Sequence, residues 1–326
     1  MLTIRVEKNG TGDFRTVAEA LQSVPYALPA LIVIGEGVFE EKLFSDHRDI
    51  RMEGSGPGRT VLRWADGAKH PHADGTLTGT FRSYTLFLGG GRASLARLTV
   101  ENAAGDGERH GQGLAVYADA ERVFMEEVQL LGCQDTLFCA PLPQKERLPR
   151  GFLGPRALTP RVPSRQQYRR CEIHGDVDFI FGGADALFED CTLVSRDRGE
   201  AVNGYVAAPS GGADGAGFLF AGCRFVSAAP AGTVYLGRPW RETGRAVLLG
   251  CALGAHIRPE GWSAWEPGQR EPRAFFAEYR SAGPGANPDA RVEWSHELTE
   301  REAADWYARA EAIRRDAAGI DPPTSA

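Results

Sequence analysis

Asp135, within Gln134-Asp135-Thr136-Leu137, and Asp178, within Asp178-Phe179-Ile180-Phe181-Gly182, have the residue type and spacing for nucleophilic and acid–base chemistry. Each lies seven residues beyond an inward anchor of a repeated strand unit, Val128 in one case and Cys171 in the other. If those units stack as successive coils, the two carboxyls sit side by side on neighbouring strands, about 4.8 Å apart along the stack. Carboxyls that close do not both ionise cheaply, so their pKa values split. One becomes an anionic nucleophile and the other a neutral acid. That pattern predicts an enzyme.

The positioning elements are legible as a repeat. Forty glycines and twenty prolines separate short apolar runs, which points to many short strands rather than long helices. Aligned, the runs give a unit with inward residues at positions −3, 0 and +2: Leu95/Leu98/Val100, Met125/Val128/Leu130, Tyr168/Cys171/Ile173, Phe188/Cys191/Leu193, Phe220/Cys223/Phe225 and Leu248/Cys251/Leu253. The step from 0 to +2 is strand alternation, with both side chains on one face. The zero positions are 30, 43, 20, 32 and 28 residues apart, a variable period that suits a single-stranded parallel β-helix with outward loops. Four of the six zero positions are cysteine, which leaves two readings open. One is a ladder of small buried thiols; the other is a Cys171–Cys191 disulfide between adjacent coils.

The chain reads as one β-helix domain over residues 1–326 with short capping helices at its ends. Thr16-Val17-Ala18-Glu19-Ala20-Leu21 is the first candidate cap, and residues 297–318, with Ala303, Trp306 and Ala310 on one face, are the second. Residues 319–326 read as a loose tail. The 43-residue interval carries an inserted loop, 139–165, with six basic residues against one acid. Beginning just beyond Asp135, it is a candidate rim for a polyacidic substrate.

A net charge of −6 argues against a general nucleic-acid binder. No apolar run approaches 18 residues, so no membrane-spanning helix is expected. Six cysteines are too few for a disulfide scaffold. Met1 leads straight into the strand-like Leu2-Thr3-Ile4-Arg5-Val6, with no charged and apolar leader in view. The expectation is a cytoplasmic protein if Met1 is the natural start, and a secreted one if a leader has been removed. Gly54-Ser55-Gly56-Pro57-Gly58 lacks the Gly-Lys-Ser/Thr of a phosphate loop and reads as a turn. His70 and His72 have no metal-ligand partner at suitable spacing and read as exposed loop residues. No metal or other cofactor is expected.

Four blocks, in order, carry a resemblance: Gln112-Gly113-Leu114-Ala115, Gly132-Cys133-Gln134-Asp135-Thr136-Leu137, Val177-Asp178-Phe179-Ile180-Phe181-Gly182 and Leu236-Gly237-Arg238-Pro239-Trp240. They resemble the signature blocks of pectin methylesterases of the bacterial type, and supporting stretches extend the likeness over residues 3 to 300. The resemblance implies a right-handed parallel β-helix. It also implies hydrolysis of the methyl ester on C6 of galacturonate, with methyl-esterified homogalacturonan or oligogalacturonides as substrate and a monomeric enzyme.

The residue chemistry fits that activity. Asp178 is the candidate nucleophile, held ionised by Arg238, and Asp135 the general acid and then base. Gln112 and Gln134 offer neutral NH₂ donors to a tetrahedral oxyanion, each worth about 3–4 kcal/mol in comparable sites. Trp240 matches the family's substrate-contacting tryptophan, and Phe181, Tyr205 and Val177 are further candidates for substrate contact. Two departures stand out. Gly113 follows Gln112 where the family often has alanine, and Phe39 replaces a tyrosine far from the catalytic blocks.

The competing readings are a thioesterase or other esterase on the same scaffold, a polygalacturonate lyase or hydrolase, and a non-catalytic glycan-binding β-helix. A lyase wants acidic calcium ligands, and a hydrolase wants carboxylates without paired glutamines. A dead binding module is expected to lose Asp135 or Asp178, and both are present.

Overall fold

Six successive coils of this chain, those of the sequence repeat, turn on the same backbone device. In the computed structural model, which describes residues 1–211, 214–266, 268 and 273–318, the residue just before each zero position takes a left-handed φ. Arg97, Glu127, Arg170, Asp190, Gly222 and Gly250 all lie between +51° and +64°. The conformation costs about 1–2 kcal/mol for each non-glycine residue. A hydrogen bond offsets it: the N–H of each donates to the next coil, as from Glu127 to the Arg169 carbonyl at 3.1 Å and from Arg170 to the Glu189 carbonyl at 2.9 Å. The turn drops the zero-position side chain into the interior and throws its predecessor outward.

The coils stack in register as a right-handed parallel β-helix. Among the described residues the strands form parallel sheets of eleven, eight and seven. Leu95, Met125, Tyr168, Phe188, Phe220 and Leu248 are successive partners in the largest sheet. Val100, Leu130, Ile173, Leu193, Phe225 and Leu253 are successive partners in the second. All the anchors of the sequence repeat are buried. Tyr168, Phe188 and Phe220 stack face to face with centroids 4.7 and 4.8 Å apart, the spacing of the coils themselves. Phe188→Ala removes the middle ring of that column and is expected to cost about 3–5 kcal/mol, read as a lower midpoint in chemical denaturation.

The cysteines form the ladder and not the disulfide: all six are free. Each zero-position thiol donates to the carbonyl of the −3 residue one coil back. The pairs are Cys171 to Met125 at 3.5 Å, Cys191 to Tyr168 at 3.2 Å, Cys223 to Phe188 at 3.3 Å and Cys251 to Phe220 at 3.2 Å.

The two ends differ from expectation in one respect. Helix Val17–Ser23, capped by the Thr16 hydroxyl, inserts Val17, Ala20 and Leu21 into the end of the main core, as a cap does. Helix Glu300–Ala318 does not cap the other end. It lies along the outer face of the eleven-stranded sheet, where Ala303, Trp306, Ala310 and Ile313 pack on Leu187, Leu219, Val247, Leu249 and Ala277. Its far end reaches strands Arg165–Arg169 and Arg122–Glu126, and Arg165 pairs with Asp316 at 2.9 Å. The sheet's outer face is apolar over several coils, and a helix of 19 residues is long enough, at about 28 Å, to cover it. The last coil is closed instead by Ala286, Val292 and Trp294. The 319–326 tail lies outside the described residues.

Candidate active site

Regular strands would bury both catalytic candidates in the apolar core. Leu137 and Ile180 point into that core, and residues two apart in a strand share a face, so Asp135 and Asp178 would follow them inward. Two local features prevent this. Asp135 and Asp178 both adopt left-handed backbone conformations, φ +64° and +50°. The strand Val177–Gly182 also carries a bulge: between Val177 and Ile180 it has one residue more than its partner strand has between Tyr205 and Ala207. The register Leu137↔Ile180 then sets the aspartates side by side, two residues upstream on adjacent coils, and the Asp135 N–H donates to the Val177 carbonyl at 3.0 Å.

Arg238, at the end of strand Val234–Gly237, grips Asp178 through two bonds of 2.8 Å, Nε to Oδ1 and Nη2 to Oδ2. The guanidinium is itself sandwiched, its carbon 3.8 Å from the Tyr205 ring centroid and 3.9 Å from that of Trp265. Burial raises the Asp178 carboxyl above the ordinary value, and the Arg238 charge and hydrogen bonds pull it back. Asp135 has no such clamp among the described residues. Burial, and then the charge of Asp178, push it well above the ordinary range, with Asp176 adding to the rise and Arg238 opposing it. One carboxyl is therefore held toward the anion and its neighbour toward the acid.

Both aspartates open into a cleft of about 510 Å³ lined also by Gln112, Gln134, Arg238, Phe181 and Trp240. The backbone carbonyls of the two glutamines are fixed, Gln112 by the Ala68 N–H at 2.8 Å and Gln134 by the Gly113 N–H at 3.1 Å. Their carboxamides make no hydrogen bond to another side chain among the described residues and face the cleft. Trp240 and Phe181 meet edge to face at 5.5 Å. Phe81 and Phe152 extend this aromatic wall, at 6.2 Å from Phe181 and 6.3 Å from Trp240. Tyr205 and Val177 are not among the lining residues. Tyr205 is occupied as a plate against Arg238, and Val177 serves the site through its carbonyl. Trp265, Phe81 and Phe152 were missed by sequence reasoning. The Trp265 signal was present in Gly261-Trp262-Ser263-Ala264-Trp265, one of the stretches supporting the resemblance, but nothing in it announced a partner for Arg238.

The glycine at 113 has a local cause. A Cβ there would stand 2.6 Å from Asn102 Oδ1. Asn102 is buried and ties together the carbonyls of Asp66, Ser83 and Leu114 at 3.0, 2.8 and 3.2 Å. Gly113→Ala is expected to displace that side chain at a cost of about 1–3 kcal/mol, measurable as a lower Tm.

The pectinesterase family model matches residues 3–145 and 161–316. Pectinesterase 31 of Arabidopsis thaliana is 33% identical over 310 residues, covering 92% of this chain and 89% of the relative. The chain belongs to the pectinesterase family. Its structure is similar to that of pectin methylesterase PemA from Erwinia chrysanthemi, with a TM-score of 0.77, 27% identity and coverage of 100% and 98% of the two chains. It is equally similar to a pectin methylesterase solved in complex with hexasaccharide VII, with a TM-score of 0.77, 27% identity and coverage of 100% and 99%.

Two features sit on this pectinesterase scaffold away from the aspartates. His70 is not a free loop residue: its Nε2 lies 2.9 Å from Nδ1 of His110, and its Nδ1 accepts the Gly67 N–H at 3.1 Å. The pair joins the segment before the cleft to the segment that delivers Gln112. The inserted loop also differs from a uniformly basic rim. Arg156 is spent on Asp46 and Asp119, Arg161 on carbonyls of the loop, and Arg165 on the C-terminal helix. Of the six cations, Arg147 alone is among the residues lining the cleft.

Proposed function

We propose that this chain removes methyl esters from galacturonate units of pectin through an aspartyl nucleophile and an acyl-enzyme, releasing methanol. The observation that carries the reading is the asymmetric carboxyl pair: Asp178 doubly bonded to Arg238, Asp135 unclamped beside it, and two glutamine carboxamides facing the same space. The hexasaccharide bound by a related pectin methylesterase supports an oligosaccharide-length ligand for this cleft.

In this mechanism an Asp178 oxygen attacks the ester carbonyl carbon, and the oxyanion receives hydrogen bonds from Gln112 and Gln134. Collapse expels methoxide, which takes the Asp135 proton and leaves as methanol, so that Asp178 is joined to the galacturonyl group as an anhydride. Asp135, now a carboxylate, takes a proton from water as that water attacks the galacturonyl carbonyl. Breaking the anhydride restores the Asp178 carboxylate and the Asp135 acid, and the product acid gives its proton to solvent. Trp240 and Phe181 supply the apolar surface against which a sugar face packs.

The test is methanol release from highly methylated pectin and from methylated oligogalacturonides. Release from neither by folded protein would sink the proposal. The pH profile carries a second expectation. Activity needs Asp178 ionised, so it falls as pH drops through that raised pKa; it needs Asp135 protonated, so it falls again as pH rises through the higher one. A bell-shaped kcat/KM is expected, its limbs belonging to the pair as a unit. A profile rising without limit into alkali would remove the acid role of Asp135.

A further inference from the structure

The bond between His70 and His110 has a direction, and the backbone sets it. His70 Nδ1 accepts the Gly67 N–H at 3.1 Å, so that ring carries its proton on Nε2. Nε2 lies 2.9 Å from His110 Nδ1, which must then accept, and His110 carries its own proton on Nε2 as well. Gly67, His70 and His110 therefore form a chain of bonds that all point one way. The rings meet edge to face with centroids 5.2 Å apart.

What this bond grips is the mount of both glutamines. His110 ends the one-turn helix Gly107–His110, and Gly111, at φ +74°, leads directly into Gln112. On one side the turn lies against residues 67–70. The Lys69 N–H donates to the His110 carbonyl at 3.0 Å and the Ala68 N–H to the Gln112 carbonyl at 2.8 Å. A Cβ on Gly67 would stand 2.3 Å from the His110 carbonyl oxygen, so nothing separates the two backbones. On its other side the turn meets Gln134: a Cβ on Gly107 would stand 2.4 Å from Gln134 Oε1. The turn thus touches one oxyanion donor and is continuous with the other. A single helical turn has little stability of its own. It is held by its neighbours, and the ring bond is the side-chain contact that reaches it from the half-buried face.

We propose that the His70–His110 bond is a positioning device for the oxyanion donors, fixing the turn 107–110 and with it the stance of Gln112 and Gln134. The inference rests on the proposed role of those two glutamines. Neither histidine is among the residues lining the cleft, so both act through the glutamines. The oxyanion exists only once attack has begun, and a displaced donor therefore lowers kcat and leaves substrate binding nearly unchanged.

The experiment uses amides to separate the two ring nitrogens, since asparagine places its polar end near histidine Nδ1 and glutamine near Nε2. His70→Asn keeps an acceptor for the Gly67 N–H and removes the donor to His110; His70→Gln keeps that donor. His110→Asn keeps the acceptor for His70, and His110→Leu removes it. His70→Asn and His110→Leu are expected to lose about tenfold to a hundredfold in kcat for methanol release, the scale of a displacement of up to about 1 Å. KM should stay within about twofold. His70→Gln and His110→Asn are expected to rescue most of that loss. In a Gln112→Ala background, His70→Asn should cost a smaller factor, because one of the groups it positions is gone. Nitrogen-15 NMR of the rings should find a proton on both Nε2 atoms and on neither Nδ1. Equal losses in His70→Asn and His70→Gln, an undiminished loss in the Gln112→Ala background, or a proton on either Nδ1 would overturn the device. Absence of methanol release by the unmodified protein would overturn the esterase reading itself, whereas normal release that no histidine variant alters would overturn the positioning role alone.

Discussion

Asp178→Asn is expected to lower kcat for methanol release by about four orders of magnitude or more, the scale seen when a nucleophile is removed from an acyl-transfer site. Asparagine is the informative replacement for two reasons. It keeps the shape of the side chain, and it is among the few non-glycine residues at ease at φ +50°. An alanine would add backbone strain to the chemical loss and blur the result. Binding of unesterified oligogalacturonate should persist, since the aromatic wall and the cleft cations are untouched. Activity within tenfold of the unmodified protein would remove Asp178 as nucleophile. Asp135→Asn, at φ +64°, is the matching test of the acid, and general acid–base catalysis of this kind contributes about 10²–10⁴-fold.

The second large effect is expected at Arg238. Arg238→Ala leaves Asp178 buried with no cation, and breaking such a pair from one side costs about 3–5 kcal/mol. The carboxyl escapes part of that cost by keeping its proton, because burial already raises its pKa and the opposing charge is gone. Two readouts follow together: a lower Tm, and an acid limb of kcat/KM moved to higher pH. Arg238→Lys restores the charge but not the paired bonds, nor the fit of a flat guanidinium between Tyr205 and Trp265. It should recover some stability and little activity. An acid limb unmoved in Arg238→Ala would mean that Arg238 does not set the ionisation of Asp178.

Much of the architecture is legible in the sequence because it rests on a short repeating rule. The −3, 0, +2 spacing places side chains by strand parity, and parity is local. The same offset of Asp135 and Asp178 from their anchors reappears as their shared register. What parity cannot give is the direction in which the aspartates face. A bulge and two left-handed residues reverse the alternation at the very positions that matter, and aspartate is ordinary enough in sequence to hide that conformation. Pairings across long separations were equally silent. His70 and His110 are 40 residues apart, and Arg156 reaches back 110 residues to Asp46. The contacts of Tyr205 and Trp265 with Arg238 are made through space by three different coils. The misplaced C-terminal helix had a readable clue: Leu187, Leu219 and Val247 each precede an inward anchor by one, where an exposed strand face would carry polar residues.

That helix has a consequence for how the chain assembles. A parallel β-helix grows coil upon coil, and each new strand finds its partner already in place. The outer face formed by Leu187, Leu219, Val247, Leu249 and Ala277 does not. It stays wet until residues 300–318 have been synthesised and have folded back across six earlier strands, so a nascent coil stack carries a greasy stripe through most of its birth. Chains cut before residue 300 should complete their coils, retain the cleft and yet aggregate. The strap thus decides less what the enzyme does than whether a finished molecule leaves the ribosome alone.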